Sequence, residues 1–184
     1  VKNAVELGAK KSETPKELAE KTDVSIIILP GPSQVAAVFN GKNGLLAGGK
    51  EEQVFIDMST VDPFSTQKNA EMAAQKNISY LDAPILGRPQ MCGKWTLPVG
   101  GSQKDLEKVK ELLEVVANEV KYVGESGHGN IIKVLNNLMF GAINSITVEI
   151  MAFSQELGME PKTLYNTIED SGAASVSNLF KELG

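Results

Sequence analysis

Lys133 and Asn137 stand four residues apart in the segment Gly124-Glu-Ser-Gly127-His-Gly129-Asn-Ile-Ile-Lys133-Val-Leu-Asn136-Asn137. On a helix, side chains at that spacing share a face. Asn144, eleven residues beyond Lys133, returns to nearly the same angle. The three make a polar stripe on a segment otherwise rich in Ile, Leu, Val, Met and Phe. A helix apolar nearly all round is a buried one, and a buried ammonium is costly unless it is paired or used. Lys133 also falls within the first turns of the expected helix, where desolvation and the positive end of the helix dipole both favour the neutral amine. An amine tuned that way exchanges protons near neutral pH, which is the work of a general acid and base. The residues alone leave another reading open, in which Lys133 reaches solvent along its stem and Asn137 fills a packing gap.

The elements that would position this pair follow from periodicity and punctuation. Gly124, Gly127 and Gly129 permit a tight turn and a close backbone approach. From Ile131 to about Leu157 the apolar residues recur at helical spacing without proline; Gly158 and Pro161 mark the stop. Lys162 to about Asp170 reads as a further helix. Upstream, strands and helices alternate. Thr14 caps a helix with Pro15 at its first position, and Glu17 completes a capping box. Val24 to Leu29 is a β-branched run, expected to be a parallel strand covered on both faces and ended by Pro30-Gly31-Pro32. Ser33 caps a helix to about Phe39, and glycines 41, 44, 48 and 49 mark loops. Strands are expected over Val54–Met58, Tyr80–Ala83, Trp95–Val99 and Val120–Val123. Helices are expected over Pro63–Gln75 and Lys104–Val116. This alternation predicts an α/β fold with a Rossmann-like, mainly parallel sheet, followed by a long interdomain helix and the start of an all-α domain. The domains are placed at 1–126 and 127–184.

Composition narrows the classes. With 184 residues, 42% of them apolar, the chain can bury a core, and its net charge of −5 gives no electrostatic footprint for nucleic acid. No uninterrupted apolar run of membrane-spanning length occurs, and the first residues lack a signal-peptide layout. Cys92 is the single cysteine, so neither an internal disulfide nor a two-thiol metal site is expected. A cytoplasmic protein without a metal, nucleic-acid or membrane partner is the expectation.

The segment Gly-x-x-Gly-x-Gly-x-x-x-Lys-x-x-x-Asn at 124–137 closely resembles the catalytic-lysine segment of the β-hydroxyacid dehydrogenases. That family includes 3-hydroxyisobutyrate dehydrogenase and tartronate semialdehyde reductase, with 6-phosphogluconate dehydrogenase as a distant relative. Three other strings agree in order: Ile28-Leu29-Pro30 followed by Gln34-Val35, Asp57-Met58-Ser59-Thr60-Val61-Asp62-Pro63, and Asp82-Ala83-Pro84-Ile85-Leu86-Gly87. The resemblance implies hydride transfer between a nicotinamide cofactor, NAD or NADP, and a small β-hydroxyacid or its semialdehyde. It implies Lys133 as general acid and base at the substrate oxygen, with Asn137 holding the substrate or the lysine. Leu29, Pro30 and Gln34 would face the dinucleotide and Thr60 the nicotinamide ribose. A homo-oligomer is likewise implied.

The chain departs from the family pattern in three places. The opening strand and its Gly-x-Gly-x-x-Gly loop are absent, and Gly41-Lys-Asn-Gly44 neither follows a strand nor opens a helix as that loop does. With the loop goes the residue that separates NAD from NADP. The helical region stops soon after the segment Ser171–Ser177, so an internal piece of a longer protein is expected. The substrate loop reads Leu86-Gly87-Arg88-Pro89 where the family has Ser-Gly-Gly. Gly87 and Arg88 are retained as substrate-binding candidates; Arg88 could grip an anion bidentately or pair with a surface acid. His128 reads as a loop residue, Cys92 as an inert thiol, and Trp95 as strand packing. Asp57 and Asp82 read as structural hydrogen-bonding groups. Imine reduction on the same architecture, and a non-catalytic dehydrogenase-like module, are the alternative functions.

Overall fold

The computed structural model describes residues 2–168. In chain order the elements are α1 (Lys2–Glu6), α2 (Pro15–Lys21), β1 (Val24–Ile27), α3 (Pro32–Asn40), α4 (Leu45–Gly48), β2 (Val54–Asp57), α5 (Pro63–Ala74) and β3 (Ser79–Asp82). After one 3₁₀ turn, Pro89–Met91, come β4 (Trp95–Gly100), α6 (Gln103–Glu114), β5 (Ala117–Gly124), α7 (His128–Glu156) and α8 (Pro161–Ile168). The expected helix end at Asp170 and the segment Ser171–Ser177 lie outside the described residues.

The five strands form one sheet in the order β1-β2-β3-β4-β5. β1 with β2, β2 with β3 and β4 with β5 pair in parallel, while β3 meets β4 antiparallel at Asp82 and Gly100. The mainly parallel, Rossmann-like sheet and the long helix after it are as the sequence predicts. Every residue of β2 is buried, and successive residues feed opposite sides of the sheet. Val54, Ile56 and Met58 join a cluster with Leu81, Leu97 and Val99 and the inner face of α6. Phe55 joins Phe39, Val35, Ile78 and Tyr80 on the other side. There Phe39 meets Phe55 and Tyr80 edge-on, with ring centroids 5.9 and 5.0 Å apart, a geometry that adds about 0.5–1.5 kcal/mol per pair beyond burial.

Several local expectations change. β1 is covered on one face only: Ser25 and Ile27 are buried, while Ile26 and Ile28 are 41% and 59% exposed. The continuous apolar run does not here mean two covered faces. α3 is capped by Gly31 with Pro32 at its first position. Ser33 falls inside the first turn, where its hydroxyl donates to Gln34 Oε1. The fixed φ of Pro32 suits the helix start and moves the boundary back by two residues. At α2, Thr14 Oγ1 accepts from Glu17 N–H at 3.1 Å as expected. The Glu17 carboxylate, however, turns to Glu13 N–H at 2.7 Å rather than to the cap's own N–H. α7 opens at His128, three residues before the apolar periodicity begins.

α7 is long and apolar enough to cross a membrane by length and composition alone, a test that the core helix of a globular fold also passes. Its Asn, Ser and Thr residues interrupt the apolar run without adding charge, which is why no unbroken run is visible in the sequence. The described residues fall into two compact units that divide between Asn136 and Asn137. Their division falls within α7, past the change of texture that the sequence shows near residue 126.

Candidate active site

Two wholly buried aspartates, paired in register, end β2 and β3: Asp57 and Asp82. Asp57 accepts the Ser59 N–H at 2.9 Å and the Tyr80 hydroxyl at 2.7 Å. Ser59 Oγ in turn accepts the Leu29 N–H at 3.0 Å. The exit of β1 at Leu29 is thereby tied to the exit of β2, where Thr60 follows Ser59. Burial raises the carboxyl of Asp57 above its usual range. Burial, then the Asp57 charge, push the Tyr80 hydroxyl up as well.

Asp82 closes the start of α7. Its two carboxylate oxygens accept from Gly127 N–H at 2.8 Å and Asn130 N–H at 2.9 Å. These are donors that a helix N-terminus otherwise leaves without partners. Burial raises the carboxyl here too, against the pull of those two bonds. The glycines explain how the helix start can come so close. Gly127 has φ +94°, a left-handed conformation that favours glycine. A Cβ on Gly129 would lie 2.6, 2.7 and 2.8 Å from Pro98 O, Asp82 O and Asp82 Oδ2. The close approach read from this glycine run is therefore to the ends of β3 and β4.

Asn130 completes the frame. It has no solvent exposure. Its Oδ1 accepts the Val61 N–H at 3.1 Å, and its Nδ2 donates to Thr66 Oγ1 at 3.2 Å. One side chain thus fastens the first turn of α7 to the segment that carries Thr60.

Lys133 lies on the second turn of α7, and its Nζ donates to the Ile85 carbonyl at 2.7 Å. Burial pushes the amine below its usual value. Among the described residues Lys133 forms no ion pair, so no neighbouring carboxylate opposes that shift.

A cleft of about 350 Å³ opens at the C-terminal ends of the parallel strands, where ligands of open α/β sheets gather. Ile28 and Leu29 line it after β1, and Met58, Ser59 and Thr60 after β2. Ile85, Gly87 and Pro89 come from the loop after β3, Trp95 from β4, and Lys133 from α7. Of the residues singled out in the sequence, Leu29, Thr60, Gly87 and Lys133 meet there. Pro30 and Gln34 are exposed beyond Leu29, and neither lines the cleft. Arg88 is exposed and offers its backbone carbonyl to Trp95 Nε1 at 2.8 Å. Asn137 is exposed, one turn along α7 from Lys133. A hollow of about 450 Å³ in the second unit, lined by Ile146, Ile150, Phe153 and Leu157 among others, holds one carboxylate, Glu149, and no base–nucleophile pair.

Asn130, Ser59 and Trp95 are the contributors that sequence reasoning missed. Asn130 had a signal, a lone amide within a glycine run at a helix start. Trp95 was read as strand packing, whereas its indole also walls the cleft. The residues fit the nicotinamide end of a dinucleotide. Ile28, Leu29 and Met58 supply apolar lining suited to a flat ring, Thr60 contributes a hydroxyl-bearing residue, and Lys133 lines the same cleft. A charged carboxylate, which would repel phosphate, is absent from the lining.

Comparison with known proteins agrees. Residues 1–124 match the NAD binding domain of 6-phosphogluconate dehydrogenase. Residues 127–183 match the NAD-binding domain of NADP-dependent 3-hydroxyisobutyrate dehydrogenase. The chain is 34% identical over 170 residues to 2-(hydroxymethyl)glutarate dehydrogenase of Eubacterium barkeri, covering 91% of this chain and 56% of that one. Among solved structures, Mycobacterium tuberculosis 3-hydroxyisobutyrate dehydrogenase with L-serine superposes with a TM-score of 0.85 at 24% identity, covering 91% of this chain and 57% of that one. An imine reductase variant from Myxococcus stipitatus in complex with NAD+ superposes with a TM-score of 0.84 at 19% identity, covering 98% and 64%. These two likenesses speak to the fold. The chain spans little more than half the length of the curated relative it matches. Since the match to the dinucleotide-binding domain runs through most of its length, the chain belongs to the β-hydroxyacid dehydrogenase family, whose cofactors are NAD and NADP.

Proposed function

We propose that this protein interconverts a small β-hydroxyacid and its semialdehyde or keto form, with Lys133 as the general acid and base. The observation that carries the reading is the setting of Lys133. Its amine is half-buried, unpaired by any carboxylate among the described residues, and held by the Ile85 carbonyl at 2.7 Å in the same cleft as Thr60 and Leu29. The nicotinamide, when bound, supplies the hydride donor or acceptor. This chain's residues supply the rest. Leu29 and Thr60 would hold the ring end of the cofactor. Lys133 gives a proton to the substrate oxygen during reduction and takes it back during oxidation. The Ile85 carbonyl fixes the direction in which Nζ presents that proton. Asn137, on the same helix face, would hold the substrate. Residues 1–126 would then be the dinucleotide unit and 127–184 the helical one.

The likenesses to imine reductases stand at 18–19% identity and speak to the fold alone, so they do not favour imine reduction over this reading. The test is reduction of NAD+ or NADP+ by small β-hydroxyacids, followed by absorbance. Hydroxyacid-dependent formation of the reduced cofactor is the expected result. Cofactor binding without turnover of any hydroxyacid or semialdehyde would contradict it.

A further inference from the structure

Tyr80 brings a hydroxyl into the apolar cluster of Phe39 and Phe55, where its ring meets Phe39 edge-on with centroids 5.0 Å apart. Both capacities of that hydroxyl are used. It accepts from Asn69 Nδ2 at 3.3 Å and donates to Asp57 Oδ2 at 2.7 Å. Asp57 Oδ1 accepts the Ser59 N–H at 2.9 Å, and Ser59 Oγ accepts the Leu29 N–H at 3.0 Å. One chain of bonds therefore runs from α5, through β3 and the end of β2, to the exit of β1. Asn69, Tyr80 and Asp57 stay behind the cleft, whereas Ser59, Thr60 and Leu29 line it. Among the described residues no ion pair reaches the Asp57 carboxylate. Burying a carboxylate without a cation is costly, and the donors from Ser59 and Tyr80 are what hold its charge. What the arrangement gains is geometry: Leu29 and Ser59, 30 positions apart, are held together by one hydroxyl.

We propose that Tyr80 is a positioning residue for the nicotinamide cofactor. Through Asp57 and Ser59 its hydroxyl fixes where Leu29 and Thr60 stand in the cleft, and so sets cofactor affinity. The proposal rests on the dehydrogenase reading and concerns how that same site takes its cofactor. Without the hydroxyl, Asp57 keeps only its donors from Ser59, its charge is less well held, and Ser59 is released to rotate away from the Leu29 N–H.

The test is Tyr80→Phe in the full chain, which keeps the ring and its contact with Phe39 and removes the hydroxyl alone. Trp95 is the sole tryptophan and lines the cleft, so quenching of its emission by NAD+ or NADP+ measures cofactor affinity without turnover. The expected result is an affinity loss of about tenfold, the size of one hydrogen bond to a charged group, matched by a rise in the cofactor KM. kcat at saturating cofactor should stay within about twofold, the pattern of lost binding rather than lost chemistry. Ser59→Ala should also weaken binding, and Tyr80→Phe added to it should cost little more, because residues acting through one chain are not additive. Asn69→Ala removes only the outer donor and should weaken affinity about threefold; it decides the matter if Tyr80→Phe does not fold. Cofactor binding that follows this pattern without turnover of any hydroxyacid or semialdehyde would sink the dehydrogenase reading and leave the positioning role standing. Affinity within about twofold of the unaltered chain in Tyr80→Phe, or unchanged in Asn69→Ala where the former does not fold, would overturn the proposal. So would a loss confined to kcat, additive losses in the double variant, or the absence of saturable quenching by either cofactor.

Discussion

The Asn130 backbone N–H donates to Asp82 Oδ2 at 2.9 Å across 48 positions of sequence. Through that bond the end of β3 fixes the start of the helix that carries Lys133. The Asn130 side chain then reaches Val61 and Thr66, so the segment bearing Thr60 and the helix bearing Lys133 share one buried polar joint. An Asp82→Ala variant would leave two buried N–H groups without acceptors. Each such loss costs about 1–3 kcal/mol, so urea unfolding should show a drop of several kcal/mol. A loss below about 1 kcal/mol would mean that water replaces the carboxylate and that the joint is not rigid.

Asn130→Ala tests the other half of the joint. It strips a partner from the Val61 N–H and from the Thr66 hydroxyl, and about 1–3 kcal/mol of destabilisation is expected. Thr66→Ser, which keeps the hydroxyl, should be much milder than Thr66→Val. Equal unfolding midpoints for the two Thr66 variants would remove the hydrogen bond from the account.

Gly129→Ala places a Cβ less than 3 Å from two backbone carbonyls and a carboxylate oxygen. Backbone cannot yield as a flexible side chain does, so a cost at or above the usual 1–3 kcal/mol of overpacking is expected. Gly141, on the same helix, has open space around it. Gly141→Ala should instead stabilise, by up to about 1 kcal/mol from helix propensity. Thermal unfolding of the two variants should therefore move in opposite directions.

The lysine makes a pH prediction with a definite sign. Burial lowers its pKa, so the folded protein releases that proton at a lower pH than the unfolded chain, whose lysine titrates near the usual 10.5. Between those two values the unfolded state binds more protons, and stability rises with pH. Lys133→Met removes the group, so it should flatten that rise. In turnover, reduction needs the ammonium and should fall as pH climbs through the lowered pKa. Oxidation needs the amine and should rise over the same interval. A pH–rate profile with the limb at the ordinary lysine value, or the same limb surviving in Lys133→Met, would contradict the assignment.

Much of this arrangement is legible in the sequence because its signals are local. A β-branched run ended by Pro-Gly-Pro, a Thr-Pro helix start, and a glycine run before a long apolar periodicity each have one dominant structural solution. Lys133, Thr60, Leu29 and Gly87 could be named because each sits in a short string whose spacing is informative. Asn130 sits in such a string, but its role was hidden, since its partners Val61 and Thr66 lie 69 and 64 positions away and only the fold brings them near. The exposed face of β1 was hidden for a related reason. Hydrophobic pattern reports what a strand would bury, while Ile26 and Ile28 depend on which neighbours stack beside it. Trp95 packs against the sheet core as expected; that it also lines the cleft was hidden, because period-two packing describes a strand's two faces but not a ring at the strand's first residue, held by the Arg88 carbonyl.

The central claim is that Lys133 moves the proton. The direct test is kcat for semialdehyde reduction by the chain and by Lys133→Ala, with reduced-cofactor affinity measured separately through its effect on Trp95 emission. The account predicts a loss of about 10²-fold or more in kcat, the range of a missing acid–base group, with cofactor affinity changed by less than about threefold, a difference under 1 kcal/mol. A variant that turns over within about tenfold of the unaltered chain would assign the proton to another group and contradict the account.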